Sequence, residues 1–314
     1  MLYPNGFPKF PHLDAAENVF FERQLEAVAA KSYDIKYPQL KGRQLVPVNN
    51  SVDRGAETYK FNQYDMAGVA KIIANYADDL PASDVKGREF RVAIKPVGSS
   101  FHYSIQELQN ARMAGLPLEQ RKANACRRAI EEAIDRIIAS GDSDTGLVGL
   151  FGLSNTIVYT VPTGTAGYTD WARKTPLEIL ADLHGIATAI VETTNEVEVP
   201  DTLVLPIRQR QIITNTPISV SGNTSVTIEK FFLENSPYIK RIVQWHKAKG
   251  TGTGGTDRMV AYRLDPDALE AIIPLEAEFL PPQANNLAFK IPAWARTAGV
   301  VTYYPMSVAY GDGI

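Results

Sequence analysis

Apolar residues recur at helical spacing most clearly between Leu116 and Asp142. Cys126, Ala129, Ile130, Ala133, Ile134, Ile137 and Ile138 make one stripe, and Arg127–Glu131, Arg128–Glu132 and Glu132–Arg136 stand at i,i+4 on the outer face. The pattern predicts one helix from Leu118 to Ser140, about 35 Å long at about 1.5 Å per residue. A solvated surface or a seam with another copy would each account for its charges. A glycine-spaced apolar segment, Gly146 to Leu153 (GLVGLFGL), follows. Strict alternation marks Glu57 to Asp65 and Glu89 to Ile94, with Tyr59, Phe61, Val92 and Ile94 among the apolar positions. These segments predict two antiparallel strands. Roughly two dozen residues lie between them, too many for a tight hairpin. A two-stranded ribbon is marginal in water, so this excursion needs another surface to rest on.

Other elements are marked by their ends. Asp14 and Glu17 have capping-box spacing at the start of a short helix to Ala30. Tyr37 to Asn50, broken by Pro38 and Pro47, reads as extended, so the first fifty or so residues form an arm with little core of its own. Ser104 and Glu107 cap a helix that leaves through Gly115. Thr175-Pro176-Leu177-Glu178 is a strong helix start, and Ile179, Leu183, Ile186 and Ile190 give its buried stripe. Thr202 to Leu205 (TLVL) reads as a central strand, and Ser225 to Glu234 fits helix or strand. Tyr238 to Trp245 and Arg258 to Arg263 read as strands of a hairpin around a glycine-rich loop. Toward the end, Leu287 to Ile291, Val300 to Tyr304 and Met306 to Tyr310 alternate as strands of a mixed sheet. The succession predicts an α+β fold, and no internal repeat is visible.

Composition narrows the function. The chain has 314 residues, 45% hydrophobic and 21% charged, with a net charge of −3. That is enough apolar content for a sizeable core, and the charge gives no footprint for direct nucleic-acid binding. The single cysteine, Cys126, excludes an intrachain disulfide framework or a cysteine-based zinc site. MLYPNGFPKF lacks the pattern of a signal peptide. Thr145 to Thr169 has no charged residue over a membrane-spanning length, but its five glycines and Pro162 suit loop and strand better than a membrane helix. No membrane partner is expected, and the protein reads as made in a cytoplasm.

The motifs that would carry chemistry fail on context. Gly250, Gly252 and Gly255 match G-x-G-x-x-G, with Gly254 between them, but a strand-like segment follows where a dinucleotide site needs a helix. Asp144-Thr145-Gly146 has no second copy to share a proton with. Asp142 and Asp144 open no calcium loop, because Leu153 stands where its glutamate belongs. His12, His102, His184 and His246 have no metal-ligand spacing, and His184 reads as a packing residue. No catalytic residue, cofactor or metal is expected. Carboxylates are plentiful, so a metal-independent hydrolase with an unrecognised pair stays open as an alternative.

The order of elements resembles the major capsid proteins of tailed phages, the Hong Kong 97-type fold. The most specific likeness is local: the long helix ends in Ser140-Gly141-Asp142, a short turn follows, and then Gly149-Leu150-Phe151-Gly152-Leu153-Ser154-Asn155. The resemblance implies an N-terminal arm (1–53), an extended loop (54–95), a peripheral domain with a spine helix (96–174), a mostly axial domain (175–265) and C-terminal strands returning to the peripheral domain (266–314). It implies hexamers and pentamers enclosing double-stranded DNA by confinement. Tyr59, Phe61, Tyr64, Met66, Val69, Ile72, Ile73 and Tyr76 would bury on a neighbouring copy, and Gly250, Gly252, Gly254 and Gly255 would form an axial loop. The resemblance leaves room for separate portal and decoration proteins as partners, and scaffolding, where used, should be a separate protein. Assembly would take place in the bacterial host cytoplasm. Some family members crosslink a loop lysine to a neighbour's asparagine; Lys60, Lys71 and Lys86 lie in the loop, with no acid catalyst or acceptor assigned. An encapsulin-like compartment holding protein cargo is the close alternative, and an adhesin or tail protein lacks the repeats it would need.

Overall fold

The computed structural model describes residues 36–68, 83–115, 117–218 and 226–314. The chain divides into two units, Met1–Gln39 and Leu40–Ile314, and the elements below belong to the second. The helix expected over 14–30 lies outside the described residues, as do Val69, Lys71, Ile72, Ile73 and Tyr76.

The second unit begins with a helical turn, α1 (Gly42–Leu45), and a two-residue strand, β1 (Val48–Asn49). The sequence reads this stretch as extended because its partners are distant. The Gly42 N–H is taken by Asp135 Oδ1 at 2.7 Å, and the Tyr262 hydroxyl donates to the Leu45 carbonyl at 2.5 Å. Next come β2 (Thr58–Ala67) and β3 (Asp84–Ala93), antiparallel, with Thr58 opposite Ala93 and Ala67 opposite Asp84. The alternation places this ribbon correctly but underestimates its length. β4 (Lys95–Ser104) continues from β3. Ser104 then caps α2 (Ile105–Met113): its hydroxyl accepts the Glu107 N–H at 3.0 Å, and Glu107 accepts the Ser104 N–H at 3.2 Å. The long helix α3 runs Leu118–Ser140, as its stripe predicts.

The next elements are β5 (Ile157–Tyr159), α4 (Pro176–Thr193), β6 (Thr202–Leu205), α5 (Ile207–Asn215), α6 (Ile228–Asn235), β7 (Arg241–Gln244) and β8 (Arg258–Tyr262). Within the ambiguous 225–234 stretch, residues 228–234 are therefore helical, capped by the Thr227 side chain. The chain ends in β9 (Leu269–Ile272), β10 (Leu275–Phe279), β11 (Gln283–Asn285), β12 (Ala288–Thr297), β13 (Gly299–Thr302) and β14 (Val308–Asp312).

Three further sheets accompany the ribbon. β4 pairs along its length with β12, whose other side carries β10 and β11. β9 lies between β1 and β13. A five-stranded sheet has the order β5-β14-β8-β6-β7. Thr202–Leu205 sits inside it, buried at every position. β7 and β8 are not a hairpin: β6 lies between them, parallel to β7 and antiparallel to β8. The sequence suggests a hairpin only because the two strands flank one loop. The last strand, β14, also joins this sheet, alongside β5 and β8.

Two apolar clusters hold these layers. Cys126, Ile130, Ile134 and Ile138 of α3 pack with Phe101, Tyr103, Ile291, Ala293 and Ala295 of the β4–β12 sheet. Ile179, Leu183, Ile186 and Ile190 of α4 pack with Leu203, Leu205, Met259 and Ala261. Each fully buried aliphatic side chain contributes about 1.5–3 kcal/mol relative to exposure. A small third cluster of Ile94, Ile272, Ala298 and Val301 sits at the root of the ribbon.

Candidate assembly surfaces

The ribbon's root is clamped within its own chain. The Tyr59 and Tyr303 hydroxyls lie 2.9 Å apart, and Tyr303 donates to Glu270 Oε2 at 3.2 Å. The Phe61 ring meets Tyr303 edge-on at 4.9 Å and stacks on Phe90 at 5.1 Å. Burial, then the hydrogen bond with Tyr59, holds the Tyr303 phenol above its ordinary pKa, so it stays neutral. Farther along, the ribbon is bare. Tyr64 is 66% exposed and Met66 83% exposed. The eight apolar residues expected at the contact thus separate by position. Tyr59 and Phe61 pack on their own chain, Tyr64 and Met66 stand open, and Val69, Ile72, Ile73 and Tyr76 fall outside the described residues.

The long helix is fixed at both faces of its C-terminal half. Asp135, which the stripe does not single out, is only 3% exposed. Its Oδ1 takes the Gly42 N–H, and its Oδ2 lies 2.5 Å from Lys247 Nζ. One carboxylate therefore joins α1, α3 and the turn after β7. Glu131 on the outer face pairs with Arg43 at 3.1 Å, and Arg43 also reaches Glu276 at 2.7 Å. The glycine-spaced segment folds back on the helix end. Leu150 and Phe151 donate their N–H groups to the Ile138 and Ala139 carbonyls at 2.7 and 2.9 Å, satisfying acceptors that a helix terminus leaves open. Gly149 is needed for this approach, because a Cβ there would lie 2.3 Å from Gly141 N and 2.6 Å from the Ala139 backbone.

The glycine-rich loop is pinned. Arg258 grips Asp312 through Nε at 2.6 Å and Nη2 at 2.8 Å, and its Nη1 donates to the Phe151 carbonyl at 2.6 Å. The same carboxylate accepts the Thr253 N–H at 2.9 Å, and Asp257 accepts the Gly250 N–H at 3.0 Å. Burial disfavours the ionised form of Asp312, but the Arg258 and Thr253 hydrogen bonds outweigh it and hold the carboxyl below the usual range. Gly250, Gly254 and Gly255 have positive φ, which is the reason for glycine there; Gly252 does not, but a Cβ on it would meet Thr256 and Asp312. This tight, polar loop is followed by a strand and offers no helix N-terminus to a phosphate.

His184 stacks edge-on against Phe232 at 4.8 Å. Burial lowers its pKa, which suits a packing role. Lys174 and Asp182 form a buried ion pair at 2.5 Å, with Trp171 Nε1 donating to the same oxygen at 2.9 Å. Among the described residues no cluster of histidine, cysteine or carboxylates could hold a metal, and no helix is long and apolar enough to cross a membrane.

This architecture, a ribbon ahead of a body of sheets with a long helix and a fold-back segment, is the Hong Kong 97-type shell fold, and the comparisons agree. A family model described as "Major capsid protein" matches residues 68–314. The chain belongs to the major capsid protein family. The capsid of Myoviridae phage XM1 matches with a TM-score of 0.82 at 17% identity, covering 95% of this chain and 99% of that one. A structure from Mycobacterium phage Bobi matches at TM-score 0.62 and 16% identity, over 91% of this chain and 94% of that one. A virus-like particle from Pyrococcus furiosus matches at TM-score 0.55 and 11% identity, over 86% and 91%. No curated protein sequence matches. The protein is accordingly a structural component of the virion that assembles with copies of itself into an icosahedral shell.

Proposed function

We propose that the subunits form hexamers and pentamers that close a phage head around double-stranded DNA, held by confinement without sequence reading. The observation that carries this is the ribbon, clamped at Tyr303 and bare at Tyr64 and Met66, in a chain of the major capsid family. Head-to-tail contacts between unlike patches close into rings when their rotation allows. An apolar contact of a few hundred Å² at about 25 cal/mol per Å² gives several kcal/mol before ordering costs, weak enough for errors to dissociate.

In this reading residues 1–53 are the arm, 54–95 the extended loop and 96–174 the peripheral domain. Residues 175–265 are mainly axial, together with β14, which pairs with β8. Gly250, Gly252, Gly254 and Gly255 face the capsomer axis as a braced loop. Scaffolding, portal and decoration proteins act as separate partners, and assembly proceeds in the host bacterial cytoplasm. The test is to purify particles from producing cells and digest them with nuclease. Double-stranded DNA of uniform length, released only on opening the shell, is the expected content. Particles filled with a protein cargo and no DNA would refute the reading in favour of a nanocompartment.

A further inference from the structure

The edges of the sheets are treated unequally. β7 closes the five-stranded sheet, and two cations cover its carbonyls: Arg210 Nη1 donates to Ile242 O, and Lys41 Nζ donates to Gln244 O at 2.8 Å. Such capping removes a template for strand addition. β4 is the edge of its own sheet and is much longer. Its pairing with β12 fixes which groups face outward. Ile105 donates to the Leu287 carbonyl, in register with Ser104 opposite Ala288. Phe101, Tyr103 and the other odd residues therefore bond to β12, and the backbone groups of Gly98, Ser100 and His102 point away from it. Among the described residues only the His102 carbonyl has a partner there, Lys122 Nζ at 2.9 Å.

The side chains along this edge are small where another backbone would approach. Gly98 lies opposite Trp294, and Ser100 lies opposite Pro292. The Trp294 indole N–H is buried and has no acceptor. Apart from the His102 carbonyl, edge and indole both lack a partner among the described residues, and they lie side by side.

The same chain carries a strand of matching length, β2, that among the described residues lacks a neighbour on the side away from β3. Ile94 donates to the Glu57 carbonyl, so the odd residues of β2 bond to β3 and the even ones face outward. The outer row of β2 is Thr58, Lys60, Asn62, Tyr64 and Met66. The outer row of β3 instead includes Glu89 and Arg91, tied to each other and to Lys60, a charged edge that discourages pairing. Strands paired edge to edge place these outward rows on one face. Tyr64 and Met66 would then lie over Gly98 and Ser100, beside Trp294. Tyr64 alone offers up to about 150–250 Å² for burial.

We infer that the free edge of β4, Gly98 to His102, receives strand β2 of a second copy, so that the ribbon gains the third strand it lacks and the sheet runs continuously from one subunit into the next. This rests on the shell reading and names the seat of the ribbon within it. The test is hydrogen exchange on free subunits and on assembled particles. The amides of Gly98, Ser100 and His102, and those of Asn62 and Tyr64, should all slow at least tenfold on assembly. Ser100→Pro, which removes only an outward N–H, should leave the subunit's unfolding curve unchanged and lower particle yield at least tenfold. Particles whose β4 amides exchange as in the subunit would overturn the inference while leaving the shell reading intact. Protection of β4 without protection of β2 would overturn the ribbon as occupant. A wild type that forms no particles at all would overturn both readings. The exchange result stands even where Ser100→Pro fails to fold.

Discussion

Gly149 has no room for a side chain. Its Cβ would meet the backbone of Gly141 and Ala139, which cannot swing aside as a side-chain tip would. Gly149→Ala should destabilise the subunit by about 1–3 kcal/mol in chemical denaturation, and an unchanged midpoint would show that the fold-back is dispensable. Asp135→Ala should cost more, about 3–5 kcal/mol, because it strands the Lys247 charge and the Gly42 N–H. Glu178 gives a pH signature. The N–H groups of Thr165 and then Thr175 hold its carboxyl down to about 2, against an ordinary value of 4.5. A depressed folded pKa contributes stability that is present above the unfolded value and lost as pH falls toward the folded one. Glu178→Gln should therefore flatten the subunit's loss of stability between about pH 4.5 and 2, measured by thermal unfolding across that window. An unaltered profile would mean that the capping box at Thr175 does not form. The capping role of Glu178, unlike its contact with Thr165, was readable because Thr175 is three positions away. Asp135 was not, because its partners lie at 42 and 247 and a carboxylate inside an apolar stripe has no local signature.

Among elements, those with local causes were legible. The stripe of α3, the cap of α4 and the alternation of β2 each follow from neighbours within a turn or a strand. β4 was missed although it is as long as β3, since Pro96, Gly98, Ser99 and Ser100 have low strand propensity and only the long pairing with β12 makes them a strand. The false hairpin of β7 and β8 had the same origin, because which strand intervenes is set by tertiary packing. The ribbon's apolar residues looked equivalent in sequence, yet Tyr303, 244 positions beyond Tyr59, claims two of them. Deleting residues 65–84 should for that reason leave a folded subunit. Tyr59, Phe61 and Tyr303 stay in place, and both main clusters lie outside the deletion. Unfolding should be near native, with assembly abolished; loss of the folded subunit would place the segment in the intrachain core instead.

At the scale of the molecule, the body supplies its own cores while the ribbon and one long sheet edge remain open. That division suits a subunit whose packing is completed by copies of itself. The mild net charge of −3 fits the proposal of a wall that confines nucleic acid without gripping it. The decisive measurement is electron microscopy of the purified protein, with sedimentation at high concentration, alone and with any scaffolding protein that is made with it. The account predicts capsomer rings or closed icosahedral shells. A strictly monomeric mass under every one of these conditions would contradict it.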